Sequence, residues 1–235
     1  MTCTAALNRF YKLMERLQRL PEQGRPLREL PGRSLVPARG VYFFFEPGES
    51  RADGTPRVVR IGTHAVSIGA RSTLHGRLRQ HLGTQSGTGN HRGSIFRRHV
   101  GTALLAKEGM SVATWAAGTS PPEELKTSAT AREAEKAWEI RVSQHIGTMP
   151  VCWINVPDDP SADSDRARIE RNSIALLSNR FAPVDGPSPG WLGRISPEAR
   201  IRDSGLWNVK HADEGFDPSF LDAFDDYVAA ARNPN

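Results

Sequence analysis

Two short apolar runs that lie close together constrain the fold more than any other feature of the 235-residue chain. The run VYFFFE follows Gly40 and the run RVVRIG ends at Gly62, with the stretch EPGESRADGTP between them. Aromatic and β-branched residues favour strands, whereas Gly, Pro and Asp favour turns. The pattern therefore predicts an antiparallel hairpin with a long connection.

Periodic apolar residues predict several helices around this hairpin. Residues 5–20 form an amphipathic pattern that predicts a helix docked on the main body, followed by a Pro- and Gly-punctuated linker over 21–37. The remaining predicted elements are helices at 72–83 with Ser72 as N-cap, 94–107, 131–146, 165–178 with Ser164 as N-cap, and 218–231, and a buried strand at 150–156. Residues 117–130 are predicted to form a loop, and residues 180–216 an irregular segment.

The charge of the chain is distributed unevenly. Residues 1–120 hold 18 Lys and Arg against 7 Asp and Glu, whereas residues 121–235 hold 13 against 19, which together give the net charge of +5. An arginine-rich half favours contact with phosphate, although a solvated basic face gives the same count. No apolar run is long enough to span a membrane, no signal peptide is recognisable, and the two cysteines are far apart. These features predict a soluble protein of the reducing cytoplasm with no membrane association.

Two helices place polar groups beside their apolar faces. In the first, Leu74, Leu78 and Leu82 form the apolar stripe, and Arg77 and His81 border it. In the second, Glu170 shares a face with apolar residues and follows a buried strand. A charge in such a position needs a partner or a purpose. A structural ion pair, with Arg77 as one candidate partner for Glu170, is the alternative to a functional site.

Four motifs in order resemble the GIY-YIG nuclease domain. They are GVYFFF at 40–45, RIGT at 60–63, RLRQH at 77–81 and IERNSIALL at 169–177. The resemblance covers about residues 38–180, with an insertion near 108–130. It implies an α+β fold with a small mixed or antiparallel three-stranded sheet flanked by helices. Residues 1–37 would then form an N-terminal helix and linker, and residues 181–235 a C-terminal extension that wraps the core.

The resemblance also implies phosphodiester hydrolysis with a single divalent metal ion, Mg²⁺ or Mn²⁺. Carried over by position, Tyr42 matches the first motif tyrosine, Arg77 the catalytic arginine and His81 the histidine that many members carry four residues later. Glu170 matches the metal-binding glutamate. Asn208 is a looser match to an asparagine that closes the domain in several members, because the intervening segment is long.

The second motif departs from the family pattern, because Arg60 stands where a tyrosine is usual. Arginine cannot act as a base near neutral pH but can donate two hydrogen bonds to a phosphate. Glu139 is a rival metal ligand in the preceding helix. It lies four residues after Glu135, and Glu135-Lys136-Ala137-Trp138 resembles a motif of some family members. His91 is a second-rank catalytic candidate, and His64 fits the rim of the site and a plain surface position equally.

The predicted substrate is DNA. Its cleavage would use a proton acceptor, Tyr42 or His81, and Arg77 to neutralise transition-state charge. Several arginines are expected to hold the flanking backbone: Arg60, Arg79, Arg92, Arg97 and Arg98. Two other functions stay open at this point, namely a nucleic-acid-binding module of the same fold that has lost cleavage, and a structural protein whose basic face binds an acidic partner. A monomer and a homodimer also stay open.

Overall fold

The fold is known from a computed structural model, which describes residues 1–232. Its helices are α1 (Cys3–Gln18), α2 (Leu74–Leu82), α3 (Ile95–Glu108), α4 (Glu123–Thr127), α5 (Ala129–Gly147), α6 (Asp165–Leu177), α7 (Ala199–Ser204) and α8 (Phe220–Arg232). Its strands are β1 (Arg25–Pro26), β2 (Gly40–Ser50), β3 (Pro56–Gly62) and β4 (Pro150–Asn155). The predicted α+β class is confirmed, and no helix within residues 1–232 is both long and apolar enough to cross a membrane.

One antiparallel sheet of four strands organises the molecule, in the order β1-β4-β2-β3. The predicted hairpin is confirmed, with Tyr42 paired to Gly62, and β4 lies on the other side of β2 with Trp153 opposite Tyr42. The prediction of three strands missed β1, which has only two residues and lies in the predicted linker. Such a short strand leaves no periodic pattern, and its Pro26 occupies an edge position where no ladder hydrogen bond is required.

The alternation of side chains along β2 separates two hydrophobic cores. Val41, Phe43 and Phe45 point into the first core, whereas Tyr42 and Phe44 point into the second. This follows from strand geometry, in which successive side chains lie on opposite faces. The strand is buried on both sides, so its sequence is almost continuously apolar.

The first core lies between the sheet and the helices α1, α6 and α8. The predicted docking of the N-terminal helix is confirmed, because Phe10 packs edge-on against Phe43. Phe224 of α8 stacks on Phe43 with ring centroids 5.4 Å apart. The apolar side of α1 is therefore covered within the chain, and Arg16 on its rim pairs with Asp225 of α8 at 2.6 Å.

The second core packs α2, α3, α5 and the segment around 191–207 against the other face of the sheet. The prediction of an irregular segment over 180–216 missed the short helix α7. Two buried tryptophans, Trp191 and Trp207, also lie in this segment. The backbone N–H of Trp207 donates to the carbonyl of Val59 at 2.7 Å, so the segment lies against β3.

Helix boundaries follow the capping residues. Ser164 caps α6 as predicted, and Ser94, predicted as the first residue of a helix, is the N-cap of α3; each accepts a backbone N–H with its side chain. The prediction for α2 was one residue early, since Thr73 and not Ser72 accepts the N–H of Gly76. The predicted loop 117–130 contains α4, a single short turn of helix whose first residues, Glu123 and Glu124, suit a helix N-terminus.

Candidate active site

The tyrosine of the first motif and the histidine of α2 are in direct contact. Tyr42 and His81 are fully buried, and the Tyr42 hydroxyl lies 2.8 Å from His81 Nε2. The other ring nitrogen of His81 lies 2.9 Å from Ser94 Oγ. Tyr42, His81 and Ser94 therefore form a continuous hydrogen-bonded chain, from β2 through α2 to the first residue before α3.

His81 is held in its neutral form. Burial lowers its pKa well below the ordinary value, and the charges of Arg77, Arg60 and Arg97 lower it further. A neutral imidazole has one nitrogen with a free lone pair, so His81 can accept a proton or a hydrogen bond there.

The glycine of the second motif makes room for the tyrosine of the first. A Cβ atom on Gly62 would lie 2.1 Å from the Tyr42 hydroxyl oxygen, a distance that no side chain could tolerate. Gly62 and Tyr42 are directly opposite in the β2–β3 register, so the two motifs fit together as one structural unit. The requirement for glycine is steric here, because any side chain would displace the phenol.

The side chain of Glu170, in α6, lies beside the end of β3. The backbone N–H of Thr63, the residue after Gly62, donates to Glu170 Oε1 at 3.2 Å, and the Thr63 hydroxyl donates to the carbonyl of Gly40 at 2.8 Å. Burial raises the pKa of Glu170, opposed by the charge of Arg60, the Thr63 N–H, His211 and Arg77. No residue within 1–232 forms a salt bridge with Glu170 within 4.0 Å, so it is not part of a structural ion pair with Arg77.

Arg60 and Arg77 are close to both the tyrosine–histidine pair and the glutamate. The charges of both act on His81 and on Glu170. Arg77 is partly exposed and donates to the side chain of Gln80. Arg60 is buried, donates to the carbonyl of Trp207 at 2.9 Å and covers the Phe96 ring at 4.7 Å. The four motifs thus meet around the end of β3.

Asn208 closes the edge of β3. Its side chain accepts the N–H of Ile61 at 3.0 Å and donates to the carbonyl of the same residue at 2.8 Å. These two hydrogen bonds satisfy the backbone of the residue just before Gly62. Asn208 therefore contacts the second motif although 146 residues of sequence separate it from Gly62.

Glu139, the rival metal ligand, belongs to a buried ion-pair cluster. Its carboxylate binds the guanidinium of Arg97 and lies 2.9 Å from His91 Nδ1. Burial alone would raise the pKa of Glu139, but the His91 hydrogen bond and the Arg97 charge outweigh it and lower the pKa. Arg97 also donates to the carbonyl of His81 at 2.8 Å. The cluster therefore joins α2, α3 and α5 and holds the backbone of His81.

The arginines expected to hold DNA do not share one surface. Arg97 is fully buried in the cluster with Glu139, and Arg92 pairs with Glu135 at 2.6 Å. Arg98 is partly buried on α3, where its carbonyl accepts the indole N–H of Trp115 at 3.4 Å. Of this set, only Arg79 lines the large cleft beside the site. Periodicity could not separate these cases, because it does not show which carboxylates reach a helix from elsewhere.

The cleft has a volume of about 1010 Å³ and opens beside Thr63 and Arg77. Its walls come from α2, from the loop after β3 and from the turn before β2. Basic and polar side chains dominate it: Arg33, His64, Arg71, His75, Arg77, Arg79, Gln80 and Asn90. His64 is buried at its edge, and burial together with Arg166 lowers the pKa of His64 to about 4.

Four residues of the site and the cleft were not identified from the sequence. Ser94 was recognised as the start of a helix but not as a partner of His81, and Thr63 only as part of a motif. Arg33 and Arg71 lie outside the motifs: Arg33 is in the predicted linker, and Arg71 is in a segment before α2 for which no element was predicted. The only signal in the sequence was the excess of arginine in the first half of the chain.

A family model for the GIY-YIG domain matches residues 1–234 of the chain, so the terminal segments lie inside the matched region. No curated protein and no solved structure matches the chain significantly. The family match agrees with the four motifs and with their meeting point at the end of β3. The chain belongs to the GIY-YIG domain family.

Proposed function

We propose that the protein is a metal-dependent endonuclease that hydrolyses phosphodiester bonds in DNA. GIY-YIG domains are typically endonucleases, which supports hydrolase activity at the level of the family. The observation that carries the proposal is the meeting of a Tyr42–His81 hydrogen bond, the Arg77 guanidinium and the Glu170 carboxylate beside one basic cleft. A proton acceptor, a cation and a carboxylate are the groups that phosphodiester hydrolysis needs.

Glu170 is the residue that would hold a divalent metal ion. It is a half-buried carboxylate with one oxygen bound by the Thr63 N–H and the other not bound by any residue within 1–232. No group of three His, Cys, Asp or Glu in that part of the chain could form a complete metal cage. These features fit Mg²⁺ or Mn²⁺, which proteins often hold with one or two carboxylates, water and substrate phosphate. When bound, the ion would supply positive charge to the phosphate and the leaving oxygen.

Tyr42 and His81 would manage the proton of the attacking water. In the proposed step the water oxygen forms a bond to phosphorus while its proton passes to the Tyr42 oxygen, and Tyr42 passes its own proton to His81 Nε2. The P–O bond to the leaving sugar oxygen then breaks, and that oxygen takes up a proton from solvent. Because the pKa of His81 is low, it would hold its extra proton only briefly and return to the neutral form.

Arg77 would neutralise the charge that develops on the phosphate oxygens. It lines the cleft, is partly exposed and forms no salt bridge with a carboxylate in residues 1–232. The guanidinium geometry suits two phosphate oxygens at once. Arg60, in contrast, is buried against Phe96 and Trp207, so its proposed role is to place positive charge beside Glu170 rather than to grip DNA.

Cleavage of supercoiled plasmid in Mg²⁺, with EDTA as the metal-free control, tests the proposal. Arg77→Ala should lower the rate about 10²–10³-fold, since it removes one preorganised donor. Glu170→Gln, which preserves shape but removes charge, should abolish the metal-dependent cleavage. Arg171→Ala, at an exposed position of the same helix, is the matched control and should cleave like the wild type. Full activity of both Arg77→Ala and Glu170→Gln would refute the site.

The second candidate is a DNA-binding module of the same fold without cleavage. The observation that favours it is Arg60, which occupies the usual position of a tyrosine and donates to a backbone carbonyl instead of facing the cleft. Retention of DNA that falls steeply with salt, with no cleavage in Mg²⁺ or Mn²⁺, would support this alternative. Absence of DNA retention would instead favour an acidic protein partner.

A further inference from the structure

The arginines of the cleft differ from most others in the molecule in their partners. Most arginines in the described part of the chain lie within 4.0 Å of a carboxylate; Arg9, Arg57 and Arg166 are examples. None of the four cleft arginines has such a partner within residues 1–232: Arg33, Arg71, Arg77 and Arg79. The lining of the cleft also contains no Asp or Glu in those residues. Within the described part of the chain, no carboxylate in the lining therefore neutralises the positive charge of the cleft.

A projecting loop forms one wall of this cleft. His64 Nδ1 donates to the carbonyl of Ser72 at 3.0 Å, which joins the two ends of the loop. The fully buried Arg166 donates to the carbonyls of His64 at 2.7 Å and Ala65 at 3.3 Å, and Asp158 holds Arg166 in place. The base of the loop is thus fixed next to the cleft by buried groups.

The tip of the loop exposes an isoleucine. Ala70 N–H donates to the carbonyl of Ser67 at 3.0 Å, and Gly69 has a φ of +78°, so residues 67–70 form a tight turn. Ile68 occupies the corner of this turn and is 93% exposed. A β-branched apolar residue is unusual at a turn corner, where Pro and polar residues are common. Arg71, three residues later, lines the cleft next to it.

We propose that this loop inserts Ile68 between base pairs of duplex DNA next to the cleavage site, while Arg33 and Arg71 hold phosphates on either side of it. Proteins that deform DNA often insert Ile, Leu, Phe or Met between base steps and anchor the backbone with neighbouring cations. Four cations without carboxylate partners fit a polyanion, and the fixed base of the loop suits a wedge. The inference rests on the proposed function only in taking DNA as the substrate.

Equilibrium binding in EDTA tests the phosphate contacts without cleavage. Affinity for a fluorescently labelled duplex is measured over a range of salt concentrations for wild type, Arg33→Ala and Arg71→Ala. Each variant should weaken binding and lower the slope of log affinity against log salt by about one unit. Arg132→Ala is the control, because Arg132 is exposed and lies outside the cleft. An unchanged slope in both cleft variants, or no duplex binding by the wild type, would overturn the proposal.

Base unstacking tests the wedge separately. In duplexes that carry 2-aminopurine at successive positions, wild-type binding should raise the fluorescence at one step several-fold. Ile68→Ser should remove that rise and leave the salt slope unchanged, since it removes no charge. Phe181→Ser, at another exposed apolar residue, should behave like the wild type. The same fluorescence rise in Ile68→Ser would disprove insertion.

The outcomes for the wedge and for the enzyme can be told apart. A wild-type protein that unstacks DNA in EDTA but does not cleave in Mg²⁺ would sink the proposed nuclease and leave the wedge intact. Conversely, cleavage by wild type together with unchanged binding and fluorescence in the Ile68 and Arg71 variants would sink the wedge alone.

Discussion

The two faces of the sheet have different interiors, although the same strand supplies both. On the first face, Phe43 packs among aromatic rings of α1 and α8. On the second, its neighbour Tyr42 forms a hydrogen bond with the buried His81. Arg97, which pairs with Glu139, donates to the carbonyl of the same histidine. Both faces are packed by apolar side chains, and the second also contains the buried Tyr42–His81 hydrogen bond and the Arg97–Glu139 ion pair. The proposed catalytic groups lie on the second.

This difference has a physical consequence for substitution. Apolar contacts are lost in proportion to the atoms removed, whereas a buried ion pair that loses one partner leaves an uncompensated charge. The second face should therefore respond to which group is removed more than to how much volume is removed.

The largest effect is expected at Glu139. Glu139→Ala should lower the free energy of unfolding by about 3–5 kcal/mol, because Arg97 and His91 lose their common partner in the interior. The double variant Glu139→Leu with Arg97→Met should recover much of this loss, since no buried charge remains. Urea unfolding of the wild type, Glu139→Ala and the double variant measures the loss and the recovery.

Phe43→Ala on the first face should lower the free energy of unfolding by a similar amount, about 3–5 kcal/mol. A loss below about 1 kcal/mol in Glu139→Ala would show that water reaches the pair.

Acid should weaken the second face first. Burial and the charges of Arg98 and Arg60 lower the pKa of the partly buried His99 to about 4, against 6.5 for the free side chain. Between these values the unfolded chain binds a proton that the folded chain does not, so stability present above about pH 6.5 is lost as the pH falls towards 4. His99 alone should contribute about 2 kcal/mol after allowance for its exposure.

Unfolding free energies measured from pH 7 to pH 4 check this expectation. The variant His99→Gln, which does not titrate, should show a flatter decline than the wild type. An identical pH profile in both proteins would exclude His99 as a source of the acid sensitivity. Glu198 faces His99 with the opposite charge, so Glu198→Gln should steepen the decline slightly.

The sequence was sufficient to predict the parts of the fold that depend on local pattern. The hairpin follows from VYFFFE and RVVRIG, and the cap Ser164 follows from a short polar residue before a helical pattern. The four motifs gave the family and placed Tyr42 beside His81, because their order and spacing carry the topology. The two-residue strand β1 could not be predicted, since two residues show no period.

Partners from distant segments were beyond the reach of pattern analysis. Arg97 looked like an exposed cation on a basic helix, and only the fold shows that Glu139, 42 residues away, reaches it. Arg33 looked like part of a linker, and only the fold shows that it lines the cleft. Whether an arginine is paired depends on which acids the tertiary structure brings close. The sequence therefore predicts the chemistry of a site better than its boundaries.

A matched pair of phenylalanines should separate stability from function. Phe224→Leu on the first face and Phe96→Leu on the second should each cost roughly 1–2 kcal/mol. Only Phe96 contacts proposed site residues, with its ring 4.7 Å from Arg60 and edge-on to His81 at 5.4 Å. Phe96→Leu should therefore also slow plasmid cleavage, whereas Phe224→Leu should not. Equal cleavage rates at a temperature where both are folded would contradict the functional asymmetry of the two faces.

The smallest effect concerns two helix caps. Ser164→Ala removes only the cap of α6 and should cost about 1 kcal/mol. Ser94→Ala removes the cap of α3 and also the hydrogen bond to His81 Nδ1, so it should cost about 1 kcal/mol more. Urea unfolding measures the difference.

Ser94→Thr keeps the hydroxyl and should restore most of both contributions, which separates loss of the hydroxyl from loss of packing. If the two alanine variants were equally stable, the Ser94–His81 contact would contribute nothing, and the Tyr42–His81 pair would have to be positioned by Arg97 and the aromatic rings alone. If Ser94→Ala were less stable and also shifted the pH dependence of cleavage, the hydroxyl would act on the state of His81. That shift is the result a merely structural cap would not produce.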